Sequence, residues 1–429
     1  MTVAISVYVI EELESYRNPE LALIFYLIVP ALALSALGGV GIFAPRYLSI
    51  LIINMLILPI SCLAAEIYFR STDESSLSLR PSPSQVLIKL RESDPNAVIA
   101  YYPYLHFDRH KELEGTVGSG NVFPVSGIAG RKTILCDEGL GMIVYDSDRH
   151  GFRNKDSVWR SGNTVDAILI GDSFAHGSCV EDPDTLANQL MTNDLTIVNL
   201  GFGSNGPLIE LATLAEYGSI LRPRTTYWLY TNTNDLTDLK IEQNTPVLMR
   251  YLKEDGFKQD LVKRRDEIAN SLRGSFELLL NNYLASESSF TDKVVNLLKL
   301  KKLRNRLGIL RSSASELRNL VNINYEQSEQ IPLFRDVLKR ASSIVAEWDG
   351  SLVLVIVSGY SSVIENFPAA VEQEKAIVNI ATELGMCVIL SRRALQATDD
   401  PKKMFLYEYS HYSPAGYATV AKAIRTSEC

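Results

Sequence analysis

The stretch Asp166-Ala167-Ile168-Leu169-Ile170-Gly171-Asp172-Ser173-Phe174-Ala175-His176-Gly177 decides the fold class. Four apolar residues without alternation, stopped by glycine, predict a short strand buried on both faces, which is the pattern of a parallel sheet. The polar turn that follows leads into a helix-forming stretch. Ligands of open α/β sheets bind at the carboxyl ends of strands, so Ser173 stands where a nucleophile can meet a substrate. The helix after it can aim its first amides at a developing negative charge. Alone, the turn is equally an ordinary helix cap made by Asp or Ser.

Working outward, similar runs recur at Thr196–Leu200 (TIVNL), Thr226–Tyr230 (TYWLY), Leu352–Val357 (LVLVIV) and Met386–Leu390 (MCVIL). Helical patterns at Asp184–Thr192, Pro207–Leu221, Ile331–Asp349 and Ala369–Leu384 separate them. This alternation predicts an α/β fold, a doubly wound parallel sheet in an α/β/α sandwich over residues 164–429. Lys240 to Asn322 interrupts the rhythm with charges and leucines at helical spacing, and predicts a helical insertion. Its basic run Lys299–Arg306 reads first as a solvated helix face and second as a contact for anionic lipid or glycan. Residues 71–163 hold prolines, glycines and short apolar stretches at Ala97–Tyr102 and Thr133–Leu135, which predicts a linker and an irregular lead-in with short strands.

Further upstream, no charge occurs between Glu20 and Arg46 or between Arg46 and Glu66. Leu21–Phe43 and Tyr47–Ala65 are each near the ~20 apolar residues that cross a bilayer, so residues 1–70 predict an integral membrane anchor of two helices, over about 21–43 and 47–67. The alternatives are a buried core hairpin or a cleaved signal peptide, although a signal core of ~7–15 residues is shorter and follows a basic segment. Arg46 on one side is set against Arg17, Arg70 and Arg80 on the other, so the positive-inside count does not orient the hairpin. A net charge of −8 gives no footprint for nucleic acid, which is excluded as a partner. The five cysteines match no metal spacing, and neither metal nor cofactor is expected.

Three more segments carry chemistry. Asn199-Leu200-Gly201-Phe202-Gly203-Ser204-Asn205-Gly206-Pro207 ends a predicted strand with small residues that let backbone amides approach a ligand, or simply form a tight turn. Thr231-Asn232-Thr233-Asn234-Asp235-Leu236 brings a side-chain amide to the same sheet edge. Glu408-Tyr409-Ser410-His411-Tyr412-Ser413-Pro414-Ala415-Gly416 supplies one of only five histidines ahead of a terminal helix. A hydroxyl needs a base to attack, and imidazole suits that task near neutrality.

In this order the four segments resemble the SGNH (GDSL-like) hydrolase family. The resemblance covers about Asp146–Ile424, and Ser147–Asn154 resembles the lead-in of membrane-tethered members linked to surface polysaccharides. It implies Ser173 as nucleophile, His411 as base, the Ser204 amide and the Asn234 side chain as oxyanion donors, and Glu408, three residues before His411, as the acid. The sequence departs from the family pattern at Ser204 and Asn232, where glycine is usual, and at Glu408, where aspartate is usual. The implied activity is ester hydrolysis or O-acyl transfer through an acyl-serine. The implied partners are acylated (acetylated) cell-surface or exported glycans, or lipid esters, with the catalytic domain extracytoplasmic. A non-catalytic glycan-binding or assembly protein on the same fold is the alternative. If the domain is exported, Cys136 and Cys179 can form a disulfide; two separate buried thiols are the other possibility.

Overall fold

The computed structural model describes residues 45–72, 81–107, 122–160, 164–192, 195–288, 297–307 and 328–429, with a few isolated positions before 45. The chain divides into two units, Met1–Arg80 with Leu280–Asn319, and Pro81–Leu279 with Leu320–Cys429. The helical insertion is therefore shared between them.

The second unit opens with a three-stranded sheet built from the lead-in. Its strands are β1 (Val98–Ile99), β2 (Lys132–Ile134) and β3 (Val144–Asp146), with β1 parallel and β3 antiparallel to β2. The main sheet holds β4 (Ala167–Ile170), β5 (Ile197–Asn199), β6 (Thr225–Thr231), β7 (Ser351–Val357) and β8 (Cys387–Leu390). Its order is β5-β4-β6-β7-β8, and every pairing is parallel. All five predicted strands are present within one or two residues of their expected bounds.

Successive strand residues point to opposite faces. Ile168, Ile170, Trp228, Tyr230, Leu354 and Ile356 pack on one side with Leu208 and Leu211 of helix Pro207–Thr213 and with Phe334 and Leu338 of helix Ile331–Ala346. Leu169, Leu229, Val353 and Val355 pack on the other with Leu186 and Leu190 of helix Leu186–Leu190 and with Tyr417 and Val420 of helix Pro414–Arg425. Burial on both faces is why these strands read as unbroken apolar runs. After β4 the chain moves outward to β5 and then returns across β4 to β6, so the sheet order reverses beside the end of β4, where such folds open a crevice.

In the first unit, helix Leu48–Thr72 covers the second predicted span, and Glu66 near its end accepts the Leu303 amide of helix Lys301–Arg306 at 2.7 Å. This bond satisfies one of the first amides of the short helix, which have no intrahelical acceptor. The first predicted span lies almost wholly outside the described residues. Among the described residues no helix is long and apolar enough to cross a membrane, so the predicted two-helix hairpin is not seen.

Candidate active site

Gly171 ends β4 at φ +156, a conformation that favours glycine, and a Cβ there would lie 2.9 Å from Cβ of both Ala175 and Leu229. The chain can therefore turn tightly against the sheet. Asp172 then caps helix Ser173–His176, its Oδ1 accepting the Phe174 amide at 2.9 Å and the Thr231 hydroxyl at 3.0 Å. Burial pushes the Asp172 carboxyl up from the usual range. Ser173 is left half-buried at the first position of the helix.

His411 lies on the segment ahead of helix Pro414–Arg425, its ring 5.0 Å from that of Phe174. Its Nε2 is 2.9 Å from Ser173 Oγ. On the opposite side of the ring, Nδ1 is 2.8 Å from Oε1 of Glu138, and the His411 backbone amide donates to Oε2 of the same carboxylate at 3.2 Å. A carboxylate can only accept, so the ring proton sits on Nδ1 and the Nε2 lone pair faces the serine hydroxyl. The side chains are only 17 % (Glu138) and 23 % (His411) exposed, which limits solvent screening of this pair.

The carboxylate beside His411 is thus Glu138, and the assignment of Glu408 is corrected. Ser410 donates its amide to the Tyr407 carbonyl, Leu406 donates to the His411 carbonyl, and Tyr409 adopts φ +58. This tight turn places Glu408 at its exposed tip, facing the Tyr360 hydroxyl. Glu138 comes instead from the connection between β2 and β3. Asp137 Oδ1 accepts the amides of Gly139 at 2.9 Å and Gly141 at 3.2 Å, folding the loop back on itself. Two residues before Glu138, Cys136 is disulfide-bonded to Cys179, six residues past Ser173. Of the two possibilities left open for these cysteines, the bonded one is present. A second disulfide joins Cys387 to Cys429.

The lead-in holds the nucleophile's loop at further points. Arg153 is buried and donates to the carbonyls of Gly177 at 2.7 Å and Val180 at 2.9 Å and to the Asp182 carboxylate at 2.7 Å. Asn154 exchanges two 2.8 Å hydrogen bonds with the backbone of Asn199, whose own Nδ2 donates to the Ala175 carbonyl. His176, one turn past Ser173, is fully buried, stacks on Phe202 and bonds Tyr145 through Nε2. Burial and the neighbouring Arg153 charge hold its pKa well below the usual histidine value, so it is a neutral packing group.

Ser204 and Asn234 reach the same edge by different routes. Ser204 is at φ +62, a left-handed conformation that glycine takes at least cost, and its amide has no acceptor among the described residues. Asn234 follows β6, but its Nδ2 donates to Asp172 Oδ2 at 3.1 Å and to Asp238 Oδ2 at 2.8 Å, so both of its hydrogens are engaged. Asn232 points away, into a buried network with Ser362, Glu374 and the Gly359 amide.

This geometry stands beside remote structural likenesses. No family model and no curated protein matches the chain. Among solved structures, the chain is similar to a protein assigned to the lipolytic G-D-S-L family from Desulfitobacterium hafniense DCB-2, at 13 % identity and TM-score 0.34 over 61 % of this chain and 98 % of the other. A lipase/acylhydrolase from Enterococcus faecalis gives 10 % and 0.32, and a catalytic mutant of an acetylxylan esterase from Geobacillus stearothermophilus 11 % and 0.33; each covers 61 % of this chain and 93 % of the other. At such values the likenesses carry no functional argument, and the chemistry rests on the side chains themselves.

Glu138, Cys179 and His411 also form a group of potential metal ligands, with donor atoms within 4.8 Å of one another. Metal ligation by cysteine requires a thiolate, which the Cys179 sulfur is not while bonded to Cys136, and both His411 nitrogens are already engaged. The arrangement suits proton transfer, not metal binding.

Proposed function

We propose that this chain is a serine ester hydrolase or O-acyltransferase of the SGNH type, with Ser173 as nucleophile, His411 as general base and Glu138 as the acid that orients it. The observation that carries the reading is the chain of contacts Ser173 Oγ to His411 Nε2, then His411 Nδ1 to Glu138 Oε1, at 2.9 and 2.8 Å. Nucleophile, base and orienting group stand in hydrogen-bond sequence, which is how a hydroxyl of ordinary pKa is activated.

In the reaction, Ser173 Oγ attacks the acyl carbonyl while its proton passes to His411 Nε2. The imidazolium is stabilised by Glu138, and the tetrahedral oxyanion is met by the Ser204 amide and the Ser173 amide, which as a first-turn helical amide lacks an intrahelical acceptor. Asn234 joins them if one of its bonds to Asp172 or Asp238 is exchanged. Collapse breaks the ester bond, and His411 returns the proton to the departing alcohol oxygen. Water or an acceptor hydroxyl then attacks the acyl-serine, with His411 again taking and returning one proton. Water makes the protein an esterase; a sugar hydroxyl makes it a transferase.

Two disulfides support folding in an oxidising compartment, and with it an extracytoplasmic catalytic domain. The uncharged runs before Arg46 and Glu66 support membrane anchoring. O-acyl (acetyl) groups on exported glycans are the preferred substrates, with lipid esters second. Labelling the full-length protein with a fluorophosphonate probe tests the reading. Wild type is expected to label while Ser173→Ala and His411→Ala do not, whereas a well-folded wild type that resists a small probe would instead favour a non-catalytic glycan-binding protein.

A further inference from the structure

An open pocket of about 540 Å³ on the α/β unit shares no residue with the Ser173 site. Four arginines line it: Arg131, Arg149, Arg265 and Arg273. Asp266 is the one acid in the lining, and it lies 3.4 Å from Arg265. Arg149 is paired with Asp156 outside the pocket. Arg131 and Arg273 make no ion pair or side-chain hydrogen bond among the described residues, and the Arg273 Nε is buried without a partner. Burial and the Arg273 charge pull the Arg131 guanidinium below its usual pKa, against the opposing charge of Asp94.

Four guanidinium groups share the lining with a single acid, and Arg131 and Arg273 have no ion-pair partner among the described residues, so their mutual repulsion is unfavourable and the buried N–H of Arg273 without an acceptor costs further. On a chain whose net charge is −8, such a cluster calls for an anion to fill it. Its construction favours that reading. Arg265, Ala269 and Arg273 follow one another at i, i+4 and i+8 along one face of helix Arg265–Ser288, so two guanidinium groups flank a small apolar residue. Arg131 closes the pocket from the turn just before β2, where Gly130 and Ala129 keep side chains out of the way. Arg265 is in the first turn of a 24-residue helix, whose dipole also favours negative charge. The volume suits an organic ligand, for which pockets run to ~300–1,000 Å³, more than a lone inorganic ion.

We propose that this pocket is a binding site for an organic oxyanion, a ligand carrying two or more carboxylate or phosphate groups that Arg131 and Arg273 clamp in bidentate fashion. The proposal does not rest on the esterase reading, because its residues are separate from Ser173, His411 and Glu138. Titration calorimetry on the full-length protein tests it with trigalacturonate as the carboxylate probe, inorganic triphosphate as the phosphate probe and neutral maltotriose as control. At least one anionic probe is expected to bind, weakening as salt is raised, and the one that binds identifies the oxyanion. Arg131→Gln/Arg273→Gln is expected to lower that affinity at least tenfold while leaving fluorophosphonate labelling of Ser173 unchanged. Phenylglyoxal footprinting of the wild type gives the answer without a substitution, since bound probe should protect Arg131 and Arg273. Binding of neither anion, equal binding of maltotriose, undiminished affinity in the double variant, or no protection would overturn the proposal.

Discussion

The sheet edge and the lead-in contribute to the candidate site in opposite ways. The edge places Ser173 by a glycine turn at the end of β4 and His411 just ahead of a terminal helix, both fixed by elements of the parallel core. The lead-in contributes Glu138 from a hairpin connection of a small sheet, secured by the Cys136–Cys179 disulfide, while Arg153 and Asn154 tie down the loops around it. Ser173 and His411 thus belong to the core fold, and Glu138 belongs to an appended segment that a disulfide holds in place.

The sharpest test of the contrast removes the core members. Ser173→Ala or His411→Ala should reduce turnover of an activated acyl ester by about 10⁴–10⁶-fold, because each acts only as part of the unit. Loss of one but not the other would break the pairing. Next, Glu138→Gln should cost about 10²–10⁴-fold, since an amide can donate where His411 needs an acceptor and the wrong tautomer follows. Glu408→Gln should stay within about twofold, as expected of an exposed surface substitution. If the two effects were reversed, the acid would come from the core after all.

Smaller effects should follow from the tether. Reduction, or Cys136→Ser, is expected to lower the rate by about tenfold through misplacement of Glu138, because small displacements of catalytic groups are costly. Cys387→Ser should leave the rate nearly unchanged while lowering the melting temperature. Equal rate losses in the two variants would show that Cys136–Cys179 has no special hold on the site.

The smallest effect concerns pH. His150 packs between Trp159 and Tyr217 with Nδ1 unpartnered, and burial, with Arg265 and Arg149, lowers its pKa to about 4. The unfolded chain binds that proton more readily, so the stability His150 contributes is present above its unfolded pKa near 6.5 and is lost as pH falls through about 4. Asp148 beside it slopes the other way: burial raises its pKa to about 6, so its contribution is present below about 3.8 and fades as pH rises through about 6. His150→Phe should remove the first slope and keep the second. Relative to wild type, its melting temperature should rise between pH 6.5 and 4.5 by a few degrees, on the order of 1 kcal/mol. A parallel pH profile in the two proteins would place His150 outside the lead-in's titrating core.

The strands of the main sheet are legible in the residues alone, because burial on both faces writes itself as unbroken apolar runs such as Ala167–Ile170 and Leu352–Val357. Ser173 and His411 were also singled out from local turns beside regular elements, and the structure brings their side chains within 2.9 Å. Glu138 was not legible in the same way. The segment Cys136-Asp137-Glu138-Gly139-Leu140-Gly141 reads only as a polar turn, and the one usable signal was the prospect of a bond from Cys136 to Cys179. Which carboxylate meets an imidazole depends on positions 273 residues apart in the chain and on a left-handed turn at Tyr409. The same holds for the arginine pocket, where residues from a turn, a loop and a helix matter only once their charges share one space. Local periodicity fixes elements; long-range contacts between side chains are set by how those elements pack, and only the tertiary structure decides them.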